Sequence, residues 1–299
     1  MAIILYYKYI DILYPEQVRK WQFDLCQGLG LKGRVLIAHE GINGTLGGDD
    51  EQIQAYIRAM GEHALFGGID FKFSEGGAEQ FPRLRVVVRN EIVSTGMSPE
   101  ISAKEGGVHL TPSQAHELLS ERPEDLVVLD ARNWYESQVG TFKDAVTPEI
   151  KAFREFPAYV DATLDQFKGK QVFMFCTGGV RCERASAYLK AKGVAKEVYQ
   201  LEGGIHRYIE QFPEGHFRGK NYVFDGRVTM KANEDVLSQC SFCKVNCDEY
   251  MNCANSVCNI QFIVCTKCRE KTNTCTMGGC VATESHYAKP FQPGSSCNI

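Results

Sequence analysis

The residues best equipped for chemistry are Cys176-Thr177-Gly178-Gly179-Val180-Arg181-Cys182. An apolar run over 171–175 leads into them, and a helical stretch ending near Lys192, stopped by Gly193, leads away. Gly178 and Gly179 let the loop turn its backbone N–H groups inward as a nest for an anion. The helix that follows aims the positive end of its dipole at the same point. A thiolate held there has a lowered pKa and is nucleophilic at neutral pH. Arg181 adds a fixed planar cation, while Thr177 and Val180 complete the loop. A lone cysteine would read better as a small buried hydrophobe, but here strand, diglycine, arginine and helix coincide. Cys182 either resolves an oxidised or persulfidated Cys176 or points from the helix into the core. Asp130 and Arg132 follow a second apolar run, 126–129. They read as a structural ion pair that locks the loop, in preference to orienting charges at the reaction centre.

A second concentration of chemistry lies at the C-terminus. Ten of the 13 cysteines fall in the last sixty residues: Cys240, Cys243, Cys247, Cys253, Cys258, Cys265, Cys268, Cys275, Cys280 and Cys297. The Cys-x-x-Cys pairs at 240/243 and 265/268 have the spacing of tetrahedral zinc knuckles. Zinc orders short segments that lack apolar residues for a core of their own. The nine cysteines before Cys297 would fill two sites with one to spare, in a grouping that spacing alone leaves open. Disulfides are the alternative, disfavoured in a cytoplasmic chain. An iron–sulfur cluster would use similar thiolates and is the minority reading.

These residues need elements to hold them. Over 1–95 the chain alternates strand and helix: a strand at 3–9, a helix at 15–29, strands at 33–38 and 44–46, a helix at 50–60, then strands at 71–73 and 84–88. The order βαββαβ suits a ferredoxin-like α+β sandwich, with Asn43-Gly44 as an ordinary hairpin corner. Tyr6, Tyr7 and Tyr9 could form a stacking face but read better as core. Small and polar residues over 94–107 form a linker. Thr111, Pro112 and Gln114 then open a helix as cap, first turn and capping box. From 108 to 232 the pattern is αβαβα, with near-continuous apolar strands expected in a doubly wound parallel sheet. Ligand chemistry in such sheets lies beyond the carboxyl ends of the strands, where Asp130 and Cys176 both fall. Residues 233–299 form the Cys-rich segment.

Charge and composition narrow the field. The net charge is −4, and residues 1–108 carry 11 basic and 14 acidic side chains, 109–232 carry 17 of each and 233–299 carry 5 and 6. No segment is a basic domain, so an RNA partner would need positive charge gathered on one folded face. Lys220 and Arg227 read as solvated cations. No apolar run could span a bilayer, and the first residues lack the form of a signal peptide. A cytoplasmic protein is expected. There is no His-x-Asp or His-x-Glu pair to seed an iron site. There is no dinucleotide fingerprint either, since the Gly-x-Gly-x-x-Gly run at 28–33 follows a helix and leads into a strand, the reverse of the required order.

The loop at Cys176 resembles the rhodanese active-site loop. Four residues separate Cys176 from Arg181, where cysteine phosphatases have five; the tighter loop suits a single sulfur atom. Asp130-Ala131-Arg132-Asn133-Trp134-Tyr135-Glu136 with Gly140 resembles the rhodanese Asp-x-Arg-x-x-x-Glu element, and Leu201-Glu202-Gly203-Gly204-Ile205 that fold's closing turn. A narrower resemblance, to the rhodanese-type tRNA uridine hydroxylases, covers nearly the whole chain. It rests on segment 33–45, on Cys-Thr-Gly-Gly-Val-Arg-Cys-Glu at 176–183, on 219–225 and on the Cys-rich tail, in that order. Thr141 departs from it, standing where that family commonly has His. The resemblance implies hydroxylation at carbon 5 of the wobble uridine of tRNA, with molecular oxygen as co-substrate and Cys176 as the essential cysteine. The competing expectation is a sulfurtransferase taking sulfane sulfur from a donor through a Cys176 persulfide. A non-catalytic binding module is a third, and the intact loop argues against it.

Overall fold

The computed structural model describes residues 1–98 and 100–280. Cys297, with the rest of 281–299, lies outside the described residues. The N-terminal part opens with β1 (Ala2–Tyr9), α1 (Pro15–Gly28), β2 (Lys32–Ala38), β3 (Gly41–Gly48), α2 (Asp50–Glu62), β4 (Lys72–Glu75) and β5 (Leu84–Val88). They form one sheet in the order β4-β1-β3-β2-β5, antiparallel except for the β2–β5 edge pair. Alternation along the strands sends Ile4, Tyr6, Val35, Ile37, Ile42 and Leu46 to one face, where they pack on Val18, Cys26, Ile53, Tyr56 and Met60. Both helices thus cover one face and leave the other free to meet the next domain. This is the expected ferredoxin-like sandwich with β5 added at its edge.

Two local expectations are overturned: Lys220 and Arg227, read as solvated cations, pair with Asp248 and Asp225, and the Asn43-Gly44 corner moves. The hairpin corner is at His39-Glu40, and Asn43 and Gly44 lie inside β3, opposite Tyr7 and Tyr6. The reason is packing: a Cβ on Gly44 would come within 2.3 Å of the Tyr6 ring, which is buried against Tyr56. Gly44 is therefore there to make room for an aromatic side chain, and the turn signature of Asn-Gly is outvoted.

The middle of the chain runs β6 (Val108–Leu110), α3 (Pro112–Glu121), β7 (Leu126–Asp130), α4 (Trp134–Ser137), β8 (Gly140–Phe142), α5 (Phe156–Ala162), β9 (Gln171–Phe175), α6 (Val180–Lys192), β10 (Glu197–Leu201) and α7 (Gly204–Gln211). A four-stranded parallel sheet, β6-β10-β9-β7, carries helices on both faces. Ala115 and Leu119 of α3 join Ile205 and Tyr208 of α7 on Phe173 and Phe175. On the opposite face, Phe156 and Val160 of α5 join Cys182, Ala185 and Leu189 of α6 on Val172 and Met174. Strand β9 is interior and buried on both faces, which is why it reads as an unbroken apolar run.

Three-stranded pairing of β8 with β11 (Phe217–Tyr222) and β12 (Thr229–Lys231) closes this region. The Cys-rich segment contributes only a two-stranded ribbon, β13 (Tyr250–Asn252) and β14 (Gln261–Ile263), and the short α8 (Thr266–Arg269). Its small core is made largely of cysteines, with Phe262 and Val264. Among the described residues no helix is long and apolar enough to cross a membrane.

Candidate active site

Strand β9 delivers Cys176 to the carboxyl edge of the parallel sheet, and α6 begins four residues later. The loop is pinned on all sides. Ile205 N–H donates to Cys176 O at 2.9 Å and His206 N–H to Thr177 O at 3.1 Å. The Thr177 hydroxyl donates to Tyr222 O at 3.3 Å. Gly204 permits this closeness: its φ is +66°, and a Cβ would lie 2.6 Å from Cys176 O. Gly179, with φ +103°, turns its N–H onto Cys176 Sγ at 3.2 Å.

Burial alone would push the Cys176 thiol up. The Cys182 thiol, the Arg181 charge and the N–H groups of Cys182 and Arg181 outweigh it, and bring the group from 9.0 down to about 6. Cys182 is the donor in this pair. Burial and the neighbouring Cys176 hold its own thiol well above the ordinary value, so it keeps its proton. The two cysteines are free, and both are completely buried.

Arg181 is itself held by Glu136, which accepts from both terminal nitrogens at 2.5 and 2.7 Å. Glu136 is fully buried, and its carboxylate more than offsets the burial that disfavours the Arg181 cation. Asp130 and Arg132 form a second pair, with Arg132 Nε 2.8 Å from Oδ1 and a terminal nitrogen 2.6 Å from Oδ2, both side chains fully buried. The same Arg132 nitrogen donates to Gly140 O, and Thr141 Oγ1 to Asp130 Oδ2. Thr141 thus uses its hydroxyl to serve the ion pair. Of the nine candidate metal ligands the structure brings eight together as two groups: Cys240, Cys243, Cys265 and Cys268, and Cys253, Cys258, Cys275 and Cys280. Cys247 stands outside both.

The ligand atoms of each group lie within 4.8 Å of one another, and Cys243–Cys265 and Cys258–Cys275 are each 3.6 Å apart. Four sulfurs at 2.3 Å from a tetrahedral ion are separated by about 3.8 Å. Both groups can therefore hold a metal ion.

The N-terminal sheet contributes Leu5, Glu40 and Lys72, which sequence reasoning missed, and Tyr7 and Tyr9, which were expected in the core and instead meet the start of α6. Its free face lies on the Cys176 loop: a Cβ on Gly178 would lie 2.7 Å from Leu5 Cδ2, and one on Gly179 2.7 Å from the Tyr7 hydroxyl. The Tyr7 hydroxyl donates to Glu183 Oε1 at 2.9 Å, and that carboxylate also meets His109 and Gln200. Tyr9 donates to Val180 O at 3.2 Å, and Arg184 reaches Glu40 at 2.6 Å. Lys72, almost fully buried, pairs with Asp70 and lies over the Tyr7 ring. The missed residues are far from the loop in sequence. Only Glu136 carried a signal, its place in the Asp-x-Arg-x-x-x-Glu element.

A cysteine at the end of an interior parallel strand, in a four-residue glycine loop under a helix N-terminus, is the architecture of a rhodanese-like domain. The family described as rhodanese-like domain matches residues 111–211; the UPF0176 acylphosphatase-like domain matches 1–92 and the rhodanese C-terminal family 218–281. Relatives match over nearly full length. A Corynebacterium glutamicum protein named tRNA uridine(34) hydroxylase is 41% identical over 299 residues, covering 96% of each chain. Relatives of the same name from Pseudarthrobacter chlorophenolicus and Corynebacterium urealyticum are 41% and 43% identical, covering 94% and 89% of this chain and 98% and 92% of theirs. The chain belongs to the tRNA uridine(34) hydroxylase family.

Proposed function

We propose that the protein hydroxylates uridine 34 of tRNA, with molecular oxygen as co-substrate and Cys176 as the reacting group. The observation that carries this is the Cys176 sulfur itself, ionised near neutral pH by donors preset around it, in a chain related end to end to hydroxylases of that name. Thr177, Gly178, Gly179 and Val180 shape the cradle, Arg181 and Cys182 stabilise the thiolate, and the Asp130–Arg132 pair keeps the strand ends in register. Cys176 acts either directly as a thiolate or as a persulfide, formed when the thiolate takes the outer sulfur of a sulfane donor and the donor's reduced remainder leaves. In both cases Cys182, which retains its proton, has one to give beside the reacting sulfur.

The three units 1–95, 108–232 and 233–299 divide the work as cap, reaction centre and metal-held appendage, in a cytoplasmic protein. Zinc is the ion that suits two sets of four thiolates, and its role there is structural, ordering a segment with few apolar residues.

Mass spectrometry of nucleosides from tRNA incubated with the protein in air tests the reading. 5-Hydroxyuridine should form with the wild type and be lost in Cys176→Ser. Thiosulfate-dependent sulfur transfer without 5-hydroxyuridine would favour a sulfurtransferase instead.

A further inference from the structure

The free face of the N-terminal sheet has two halves. Pairing across the strands aligns Leu5, Thr45, Arg34 and Arg85 in one row, with Tyr7, Asn43, Leu36 and Val87 in the next. The β1 end of these rows lies on the Cys176 loop, through Leu5 and Tyr7. The other end is open to solvent and basic. Period-two alternation puts Lys32 and Arg34 of β2 on the same side as Arg85 of β5, with Arg83 and Arg89 flanking it. All five are exposed.

Five of the eleven basic residues of 1–108 are thus gathered on one face of two adjacent strands, in a chain of net charge −4. Of the arginines elsewhere, Arg181, Arg184, Arg207 and Arg227 are each paired with a carboxylate. Lys32, Arg34, Arg83 and Arg85 have no ion-pair or side-chain hydrogen-bond partner among the described residues, and Arg89 reaches only the Val88 carbonyl. Arg34 is destabilised as a cation by partial burial and by Arg85 and Arg89 beside it. Like charges directly opposite each other on neighbouring strands oppose folding. An arrangement with that cost and no internal counter-charge is complementary to an external polyanion.

We infer that Lys32, Arg34, Arg83, Arg85 and Arg89 form a phosphate-binding strip for the RNA backbone, set beside the Cys176 centre on the same sheet face. Strands are spaced about 4.8 Å apart, so Arg34 lies roughly 10 Å and Arg85 roughly 14 Å from the strand that touches the loop. Backbone gripped along the strip leaves a neighbouring nucleotide within reach of the β1 seam. Contacts to phosphate position an RNA without reading its sequence, so the strip supplies affinity and register. It answers the charge balance of the sequence, since the positive face exists only after folding.

The inference rests on the proposed tRNA substrate and is tested apart from it. Binding of unmodified tRNA is measured against salt for the wild-type chain and for Arg34→Glu/Arg85→Glu, beside hydroxylation of the same tRNA. The double variant should bind at least tenfold more weakly at 0.1 M salt. The slope of log K against log salt should shrink by about 1 for each lost phosphate contact. Its Cys176 should still titrate near 6, showing an intact centre. Unchanged affinity and slope in the variant, with tRNA bound and hydroxylated by both chains, would overturn the strip and leave the hydroxylase standing. Binding that is lost in the variant, without hydroxylation by the wild type, would support the strip and remove the hydroxylase. Displacement of tRNA by polyglutamate at equal charge concentration would overturn an RNA-specific fit in favour of an acidic protein, and no tRNA binding by the wild type would overturn both.

Discussion

At Cys176 two opposing effects meet. Full burial disfavours a charged sulfur, and a thiol donor, a guanidinium and helix N-terminal amides favour it; the second group prevails. The thiolate absorbance near 240 nm, taken as wild type minus Cys176→Ser, should therefore titrate with a midpoint near 6. Cys182→Ala removes a hydrogen bond to a charged acceptor, worth about 1.5–3 kcal/mol, so the midpoint should rise by roughly one to two pH units. An unmoved midpoint would show that Cys182 does not donate. The sign of the stability effect follows. The folded value lies below the unfolded one, so the ionised sulfur contributes stability in full above pH 9 and loses it as the pH falls to about 6. Cys176, Arg181 and Cys182 were legible in the sequence because they are contiguous. Glu136 is 45 residues from Arg181 and Tyr7 is 176 from Glu183. No local pattern announces partners at that separation, because tertiary packing creates them.

The elements around the loop are held by buried charge pairs as much as by apolar contact. Helix α4 supplies Glu136 and α6 supplies Arg181, so one bidentate pair fastens two helices at the strand ends. Removing one partner of such a pair leaves an uncompensated buried charge, which costs about 3–5 kcal/mol. Glu136→Gln should lower the unfolding free energy by that amount, read by urea titration. The thiolate should persist in whatever fraction remains folded, since Arg181 keeps its charge. A loss within a few tenths of a kcal/mol would mean that Arg181 finds water or another acceptor. Element types were the most readable level of this chain: β9 as a buried parallel strand and α3 with its capping box lie where the apolar runs and cap residues placed them. The hairpin corner did not, because the Asn43-Gly44 signature is local whereas the demand of the Tyr6 ring for an unoccupied neighbour comes from another strand.

The whole molecule poses a problem of access, and the metal groups bear on it only indirectly. Each four-cysteine group closes a loop of the C-terminal segment, whose ties to the rest include Tyr222–Gln261 and Lys220–Asp248. Two zinc ions per chain should be released by denaturation in the presence of a chromogenic chelator. Cys243→Ser should reduce the count to one, and Cys247→Ser should leave it at two. The reaction centre is closed by other means, because Cys176 has no exposed surface and the N-terminal sheet lies directly on its loop. A tRNA base cannot reach that sulfur unless the sheet and α6 part. The polar ties across the seam at the start of α6 are Tyr7 to Glu183, Tyr9 to Val180 O, and Arg184 to Glu40, Glu91 and Ser98 O. Opening at this seam breaks these bonds and the ion pairs of Arg184, while Arg207–Asp70 and the Arg227 bonds to Ser74 and Glu75 O tie the sheet elsewhere, a scale of local opening below global unfolding. Tyr9→Phe combined with Glu40→Gln removes two ties without touching the groups that set the thiolate. Alkylation of Cys176 by iodoacetamide should then run several-fold faster than in the wild type, at an unchanged pH midpoint. Equal rates in the two chains would mean that the sulfur is reached by a route other than this seam.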